Sequence, residues 1–267
     1  LKIQNNGNTI YGKEIIAKIP SKKIEIQADK SIYDKINSKL TLIDNVKVYD
    51  RNKNVYIESN NLIYDQVENT IYSHGKTLIK IDEIYEINSK DMLYDRNSMK
   101  LSSKQDTIIE DNKLNIYNFE QGFLFDTIKE IISSKKTNIT DSSNNNYSFE
   151  NTKINLKTNE IVGKELKIDF IDSFFGNEKN DPKLSGKSAF TDDDKTKVFK
   201  TVFSTCNMIN KSCRGWELQS EEFTHDKKKK LFEYKNSWLK VFNKKLFYFP
   251  YFSHPDPSVK RKSGFLT

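Results

Sequence analysis

Apolar and polar residues alternate along most of this chain. Ile24-Glu25-Ile26-Gln27-Ala28 and Val55-Tyr56-Ile57-Glu58-Ser59 both follow a period of two, which is the signature of a strand with one face buried and the other wet. The alternation recurs at longer range. Ala28-Asp29-Lys30-Ser31-Ile32-Tyr33-Asp34 returns as Ser59-Asn60-Asn61-Leu62-Ile63-Tyr64-Asp65 and again as Ser89-Lys90-Asp91-Met92-Leu93-Tyr94-Asp95, a period of 30 or 31 residues. Apolar or aromatic residues stand four and two places before each small residue: Ile24 and Ile26, Val55 and Ile57, Tyr85 and Ile87. Another stands six places after each Asp, at Leu40, Ile71 and Leu101. Looser copies run from Ile161-Val162-Gly163 through Ile168-Asp169 to Phe175, and from Trp216 and Leu218 through Ser220 and His225-Asp226 to Phe232. A shortened copy is expected around residues 114–118.

Clusters of Asn, Asp, Lys and Ser at 34–39, 50–54 and 65–69 supply turns between the strands. The small Ala28, Ser59 and Ser89 mark places where a large side chain would not fit. Helical spacing is not sustained, residues 127–133 being the one short candidate. Residues 141–146 and 177–188 read as polar loops at one rim. The lysine run 227–230 follows Asp226 where other units place their turns, and reads as a solvated hairpin tip. Units of two to three strands, each stacked on its neighbours, predict an all-β fold: an elongated antiparallel β-roll of the jellyroll type, with solenoid-like stacking of its repeats.

Composition changes this picture little. The chain has 267 residues, 36% hydrophobic and 30% charged, and a net charge of +7. The positive residues are mostly lysines interspersed with acids, in the residue usage of an AT-rich genome, and no patch of Arg with aromatics appears of the kind that grips nucleic acid. No nucleic-acid partner is therefore expected. Thirteen Tyr and seventeen Phe argue against disorder. No apolar run is long enough for a membrane helix, since residues 246–252 are interrupted by Pro250. Residues 1–20 lack the apolar core of a signal peptide, so an exported form is expected to begin after its cleavage site.

Catalytic signals are missing. His74, His225 and His254 stand far apart without metal-ligand spacing and read as surface or turn residues. There is no Gly-rich phosphate loop or nucleophile elbow, and the acids are too evenly spread to nominate a pair. The expectation is a protein that is not an enzyme, with no cofactor and no metal. Cys206 and Cys213 leave the redox compartment open.

The C-terminal stretch is more specific. Phe203-Ser204-Thr205-Cys206 is followed by Trp216-Glu217-Leu218, then by Leu246-Phe247-Tyr248-Phe249-Pro250-Tyr251-Phe252-Ser253-His254-Pro255, and ends in Lys260-Arg261-Lys262-Ser263-Gly264-Phe265-Leu266. This succession resembles the segment that joins the periplasmic domain of the LptD (organic-solvent-tolerance) family of lipopolysaccharide-assembly proteins to its outer-membrane barrel. The repeats at residues 28–95 are similar to the OstA-like units of the same pathway. Ser204, in place of a Thr, and the second cysteine Cys213 depart from the family pattern.

The resemblance implies a periplasmic OstA-like β-jellyroll domain over residues 1–245 and a connecting segment over 246–267 that leads to a barrel not included in this chain. It places the chain at the periplasmic face of the outer membrane of a Gram-negative bacterium, as a lipopolysaccharide conduit. The lipid would lie along an apolar groove lined by Ile24, Ile26, Leu40, Leu42, Val46, Val48, Val55, Ile57, Ile71, Ile79, Ile81, Ile87 and Leu101. Each buried methylene of an acyl chain contributes roughly 0.8 kcal/mol, which is what makes such shielding worthwhile. The same alternation would also serve a roll whose inner side chains pack only on each other. Implied partners are lipopolysaccharide, an LptA-like bridge protein docking by strand addition within residues 1–27, and an LptE-like lipoprotein plug acting through the barrel. Cys206 corresponds to a cysteine that the family bonds to the barrel. In this chain a local disulfide with Cys213 is the alternative. A free-standing bridge protein of the same pathway and a structural β-solenoid without lipid are the other readings.

Overall fold

A computed structural model describes residues 1–52, 54–142, 145–169, 183–205, 215–255 and 259. The chain divides into two compact units, Leu1–Glu130 and Ile131–Thr267. Both are built from antiparallel strands, as the period-two alternation predicts. The first unit holds β1 (Lys2–Gln4), β2 (Thr9–Ile19), β3 (Ile24–Asp34), β4 (Lys39–Asp50), β5 (Val55–Asp65), β6 (Thr70–Ile81), β7 (Tyr85–Lys90), β8 (Leu93–Asp95), β9 (Lys100–Ser103), β10 (Thr107–Asp111), β11 (Ile116–Phe119) and β12 (Phe123–Asp126). The second holds β13 (Ile131–Thr140), β14 (Asn146–Asn155), β15 (Glu160–Asp169), β16 (Lys183–Thr191), β17 (Lys195–Ser204), β18 (Trp216–Asp226), β19 (Leu231–Val241) and β20 (Lys244–Pro255).

Hairpin follows hairpin in the first unit. Ile26 lies beside Val48, Val48 beside Ile57, Ile57 beside Ile79, and Ile79 beside Ile87, so the apolar positions of successive strands form one continuous row. Each long strand also turns a corner. In β3 the buried residues are Ile24, Ile26 and Ala28 and then Ser31; in β5 they are Val55, Ile57 and Ser59 and then Leu62 and Tyr64. A step of three replaces the step of two at the small residue, and the pairing register slips there between Gln27 and Lys30, Ile43 and Val46, and Ser59 and Asn61. Bulges of this kind bend a strand sharply while keeping one face inward. The result is two walls meeting at the corner. Further along the chain the corner interrupts the strand, so β7 pairs with one half of β6 and β8 with the other.

The ladder is broken at the corner, and buried hydroxyls occupy the gap. The Ser59 Oγ donates to the Lys76 carbonyl at 3.2 Å, and the Ser103 Oγ donates to the Lys90 carbonyl at 2.6 Å. The Ser73 Oγ accepts from the Met92 amide at 3.0 Å and from the Thr77 hydroxyl at 2.6 Å, and the hydroxyls of Ser89 and Thr107 lie 2.6 Å apart. Buried backbone groups must find partners, which is the reason for Ser at the position the sequence marks as small.

The period of 30 or 31 residues comes from the turns at the other end of the strands. Each opens on an aspartate whose Oδ1 accepts backbone amides two or three residues on: Asp34 from Ile36 and Asn37, Asp65 from Val67 and Glu68, Asp95 from Asn97 and Ser98. Each closes on a residue with positive φ: Ser38, Asn69, Met99 and Glu130. The turns then stack. Lys35 donates its amide to Asn8 O, Gln66 to Ser38 O, Arg96 to Asn69 O and Thr127 to Met99 O, at 2.9 to 3.2 Å. Opposite, Arg51 donates to Lys23 O and Asp82 to Asn54 O. Gly122 is required where it stands, because it has a φ of +80° and a Cβ there would collide with the carbonyl of Ser103.

In the second unit every strand from β13 to β20 pairs with the next. Phe203, Phe223, Phe232 and Tyr234 form its aromatic core, with ring centroids 5.1 to 6.0 Å apart. Ser220 and Ser237 bond across the corner at 2.8 Å. Among the described residues, the hydroxyls of the buried Thr137, Thr152 and Thr201 have no partner.

Several expectations change. Residues 127–133 are no helix: a turn ends at Glu130 and β13 begins at Ile131, because Asp126 caps this turn like the others. The expected loop 177–188 is strand β16 from Lys183 onward, the preceding part lying outside the described residues, as does Phe175. The lysine run 227–230 is a hairpin turn, yet Lys227 is half-buried and donates to the Thr191 hydroxyl at 3.1 Å and to the Asp192 carbonyl, and burial lowers its pKa. The boundary expected after residue 245 falls inside β20, whose hydrogen-bonding to β19 continues to Pro255. The compact units divide after Glu130.

The turn aspartates make stability depend on acid. Hydrogen bonds from Asn37, Glu68, Ser98, Lys129 and Lys229 hold Asp34, Asp65, Asp95, Asp126 and Asp226 below the ordinary value of 3.8. Lowered folded values mean that this contribution is complete above the unfolded value and is lost as pH falls through the folded ones. Asn155 makes the same turn without a charge. Thermal unfolding of Asp65→Asn/Asp95→Asn should therefore show a shallower loss of stability below pH 4 than wild type. Asp95→Ala, which removes the cap, should cost about 1 kcal/mol at neutral pH.

Candidate functional site

The interior of the first unit gathers the residues that the repeat singles out. Ile24, Ile26, Leu42, Val46, Val48, Val55, Ile57, Ile71, Ile79, Ile81, Ile87 and Leu101 all face inward, and none is more than 5% exposed. Leu40 is half-buried. The positions from β3 to β7 between the corner and one rim line the first wall. Leu40, Leu42, Ile71 and Leu101 line the second. Their outward neighbours Glu58 and Asn88 border a surface crevice of mixed character, lined also by Asn45, Lys76, Leu78 and Ile108.

Sequence reasoning missed much of the second wall. Leu62, Tyr64, Met92, Tyr94, Phe123 and Phe125 are all buried to 5% exposure or less. The signal was present in the repeat, where Leu62 and Tyr64 align with Met92 and Tyr94. Recognising it as interior requires knowing that the alternation slips by one residue at Ser59 and Ser89.

One charged pair sits in this apolar interior. The Asp50 side chain is 1% exposed and that of Arg96 7%. Asp50 ends β4 at one rim, while Arg96 lies in the turn after β8 at the other. The Arg96 Nε donates to the Asp50 Oδ2 at 2.8 Å, and its Nη1 donates to the Asn69 Oδ1 at 2.9 Å. The Tyr94 hydroxyl donates to the same Asp50 oxygen at 3.4 Å, and the Tyr64 hydroxyl donates to the Asn69 Oδ1 at 3.3 Å. Burial works against the guanidinium charge, but the hydrogen bond and charge of Asp50 outweigh it and raise the Arg96 pKa. Burial pushes the Tyr94 hydroxyl well up as well. The network fastens the free rims of the two walls to each other, opposite the corner.

Within residues 1–27, where a docking edge is expected, β2 pairs with β3 along its length. β1 covers Thr9 to Tyr11, while Ile16 beyond it is 76% exposed. Ile24 is not on an edge, because β3 pairs it with Ile19 on one side and Asp50 on the other. Two histidines also depart from a surface role: His225 packs edge-on against Phe232 at 4.7 Å, and the His254 Nε2 lies 3.0 Å from the Tyr234 hydroxyl. His74 is exposed. Cys206 and Cys213 lie outside the described residues. Among the described residues no group of three His, Cys, Asp or Glu is placed to hold a metal, and no helix is long and apolar enough to cross a membrane.

Removing one partner of a buried pair leaves an uncompensated charge. Asp50→Ala should therefore lower the stability measured by urea denaturation by about 3–5 kcal/mol. The double variant Asp50→Leu/Arg96→Met should recover most of that loss, because it removes both desolvation costs. Compared with protein-family models and with curated proteins, the chain has no match.

Proposed function

We propose that this chain is a lipopolysaccharide conduit at the periplasmic face of the outer membrane, similar to the periplasmic domain of the LptD family. The observation that carries this reading is the unbroken inward row of aliphatic side chains that runs across β3, β4, β5, β6 and β7. Acyl chains would lie along that row, with sugars and phosphates left outside. Among the described residues the two walls are joined by backbone bonding only at the corner, so the opposite rims are where lipid would enter, and the Asp50–Arg96 network would have to part. The β2 edge would receive a bridge protein by strand addition, since an unpaired strand offers its amides and carbonyls to a partner. A barrel and its lipoprotein plug would take the lipid onward.

The close packing of the inner residues favours a second reading, a structural roll whose side chains serve only as core. Photo-crosslinking separates the two. With lipopolysaccharide added to the purified chain, probes at Ile57, Ile87 and Leu101 should form lipid adducts, and probes at Glu58 and Asn88 should not. Equal labelling of both faces, or the absence of adducts from all five positions, rules out the conduit.

A further inference from the structure

The hairpin joining β19 to β20 carries a bulky aromatic residue where its backbone asks for a small polar one. It is a two-residue turn, Phe242-Asn243, with φ of +46° and +64° and Val241 paired to Lys244. Such a turn calls for Asn, Asp or Gly at both positions. At the other positive-φ positions among the described residues the chain uses mainly Asn, Asp, Glu, Lys and Ser, and Phe242 is the one aromatic. A bulky side chain at positive φ is strained. The ring gains no burial in return, being 71% exposed. Its amide donates to the Gly215 carbonyl at 3.0 Å, which fixes the turn.

The surroundings of Phe242 share its character. Leu246, Phe247 and Tyr248 are 52%, 60% and 47% exposed, and Trp238 is 36% exposed. The Trp238 and Tyr248 rings pack 5.1 Å apart, with the Lys245 Nζ 4.9 Å from the Trp238 ring centre. Residues 238–248 carry Lys240, Lys244 and Lys245 and no acid. Lys240 is partnered by Glu217 at 3.2 Å across the strand, and among the described residues Lys244 and Lys245 have no acidic partner. An apolar tip, a Trp-Tyr pair behind it and lysines beside them match the layers of a membrane surface: acyl boundary, interfacial zone and anionic headgroups.

We infer that the β19–β20 hairpin docks on an anionic phospholipid surface, with Phe242 entering the interface and Lys244 and Lys245 meeting headgroup phosphates. The inference is independent of what the interior of the first unit carries.

The test uses the full chain and two vesicle preparations, one of equal parts phosphatidylethanolamine and phosphatidylglycerol, the other of phosphatidylcholine alone. Cosedimentation should show binding to the anionic vesicles that weakens with salt, and in a Trp216→Phe background the Trp238 emission should shift to the blue on binding. Phe242→Asn should reduce that affinity about tenfold and at the same time raise the thermal unfolding midpoint, since Asn accepts the turn geometry. Lys244→Gln/Lys245→Gln should also weaken binding and remove most of its salt dependence. The inference is overturned if wild type binds neither vesicle, if it binds both equally, or if Phe242→Asn binds as wild type does. A concentration-dependent dimer that Phe242→Asn abolishes, without vesicle binding, would likewise overturn it and assign the hairpin to a second copy of the chain.

Discussion

The long strands β3 to β6 must change direction without turning their apolar face outward. The corner bulge meets that constraint, and the rest of the fold depends on it. A step of three between buried residues, as from Ser59 to Leu62, rotates the second half of the strand so that Tyr64 points into the same interior as Ile57. The local break in backbone pairing is the cost of the bend. Hydroxyls at Ser59, Ser73, Ser89 and Ser103 offset it by bonding to the freed groups or to each other across the corner. Ser recurs at the corner in Ser59, Ser73, Ser89 and Ser103, where a small hydroxyl can reach the freed backbone groups.

The turns carry the second regularity. Their aspartate caps are local, each satisfied within three residues, but their stacking is not, because each turn donates an amide to the turn before it. Stacking fixes the spacing between units, and the spacing appears in the sequence as its period. The two devices act at opposite ends of the same strands, so a change of length in one unit would put both out of register.

Among the described residues of the first unit, the ion pair with both side chains buried is the one between Asp50 and Arg96. Asp50 and Arg96 give little net stabilisation over a pair of apolar residues, since both lose their water. What they provide is position: they hold two rims that, among the described residues, have no backbone bonds between them. Phe242 shows the opposite departure, an apolar residue where the local backbone asks for a polar one. Exceptions to local preference of this kind mark places where something beyond folding has shaped the sequence.

Strand content, antiparallel hairpins, the repeat period and most of the first wall were legible in the sequence, because alternation and Asp-led turns act between residues close along the chain. Ile24, Ile57, Ile87 and Leu101 face inward as their alternation requires. Tertiary structure alone decided what depends on residues far apart. The phase slip that buries Tyr64 and Tyr94, the pairing of Asp50 with a residue 46 positions away, the placing of His254 against Tyr234 and the break after Glu130 all arise when separate strands meet in space. Period-two alternation carries no record of where it slips, and a lone Asp or Arg in a polar turn gives no sign of the partner that will bury it.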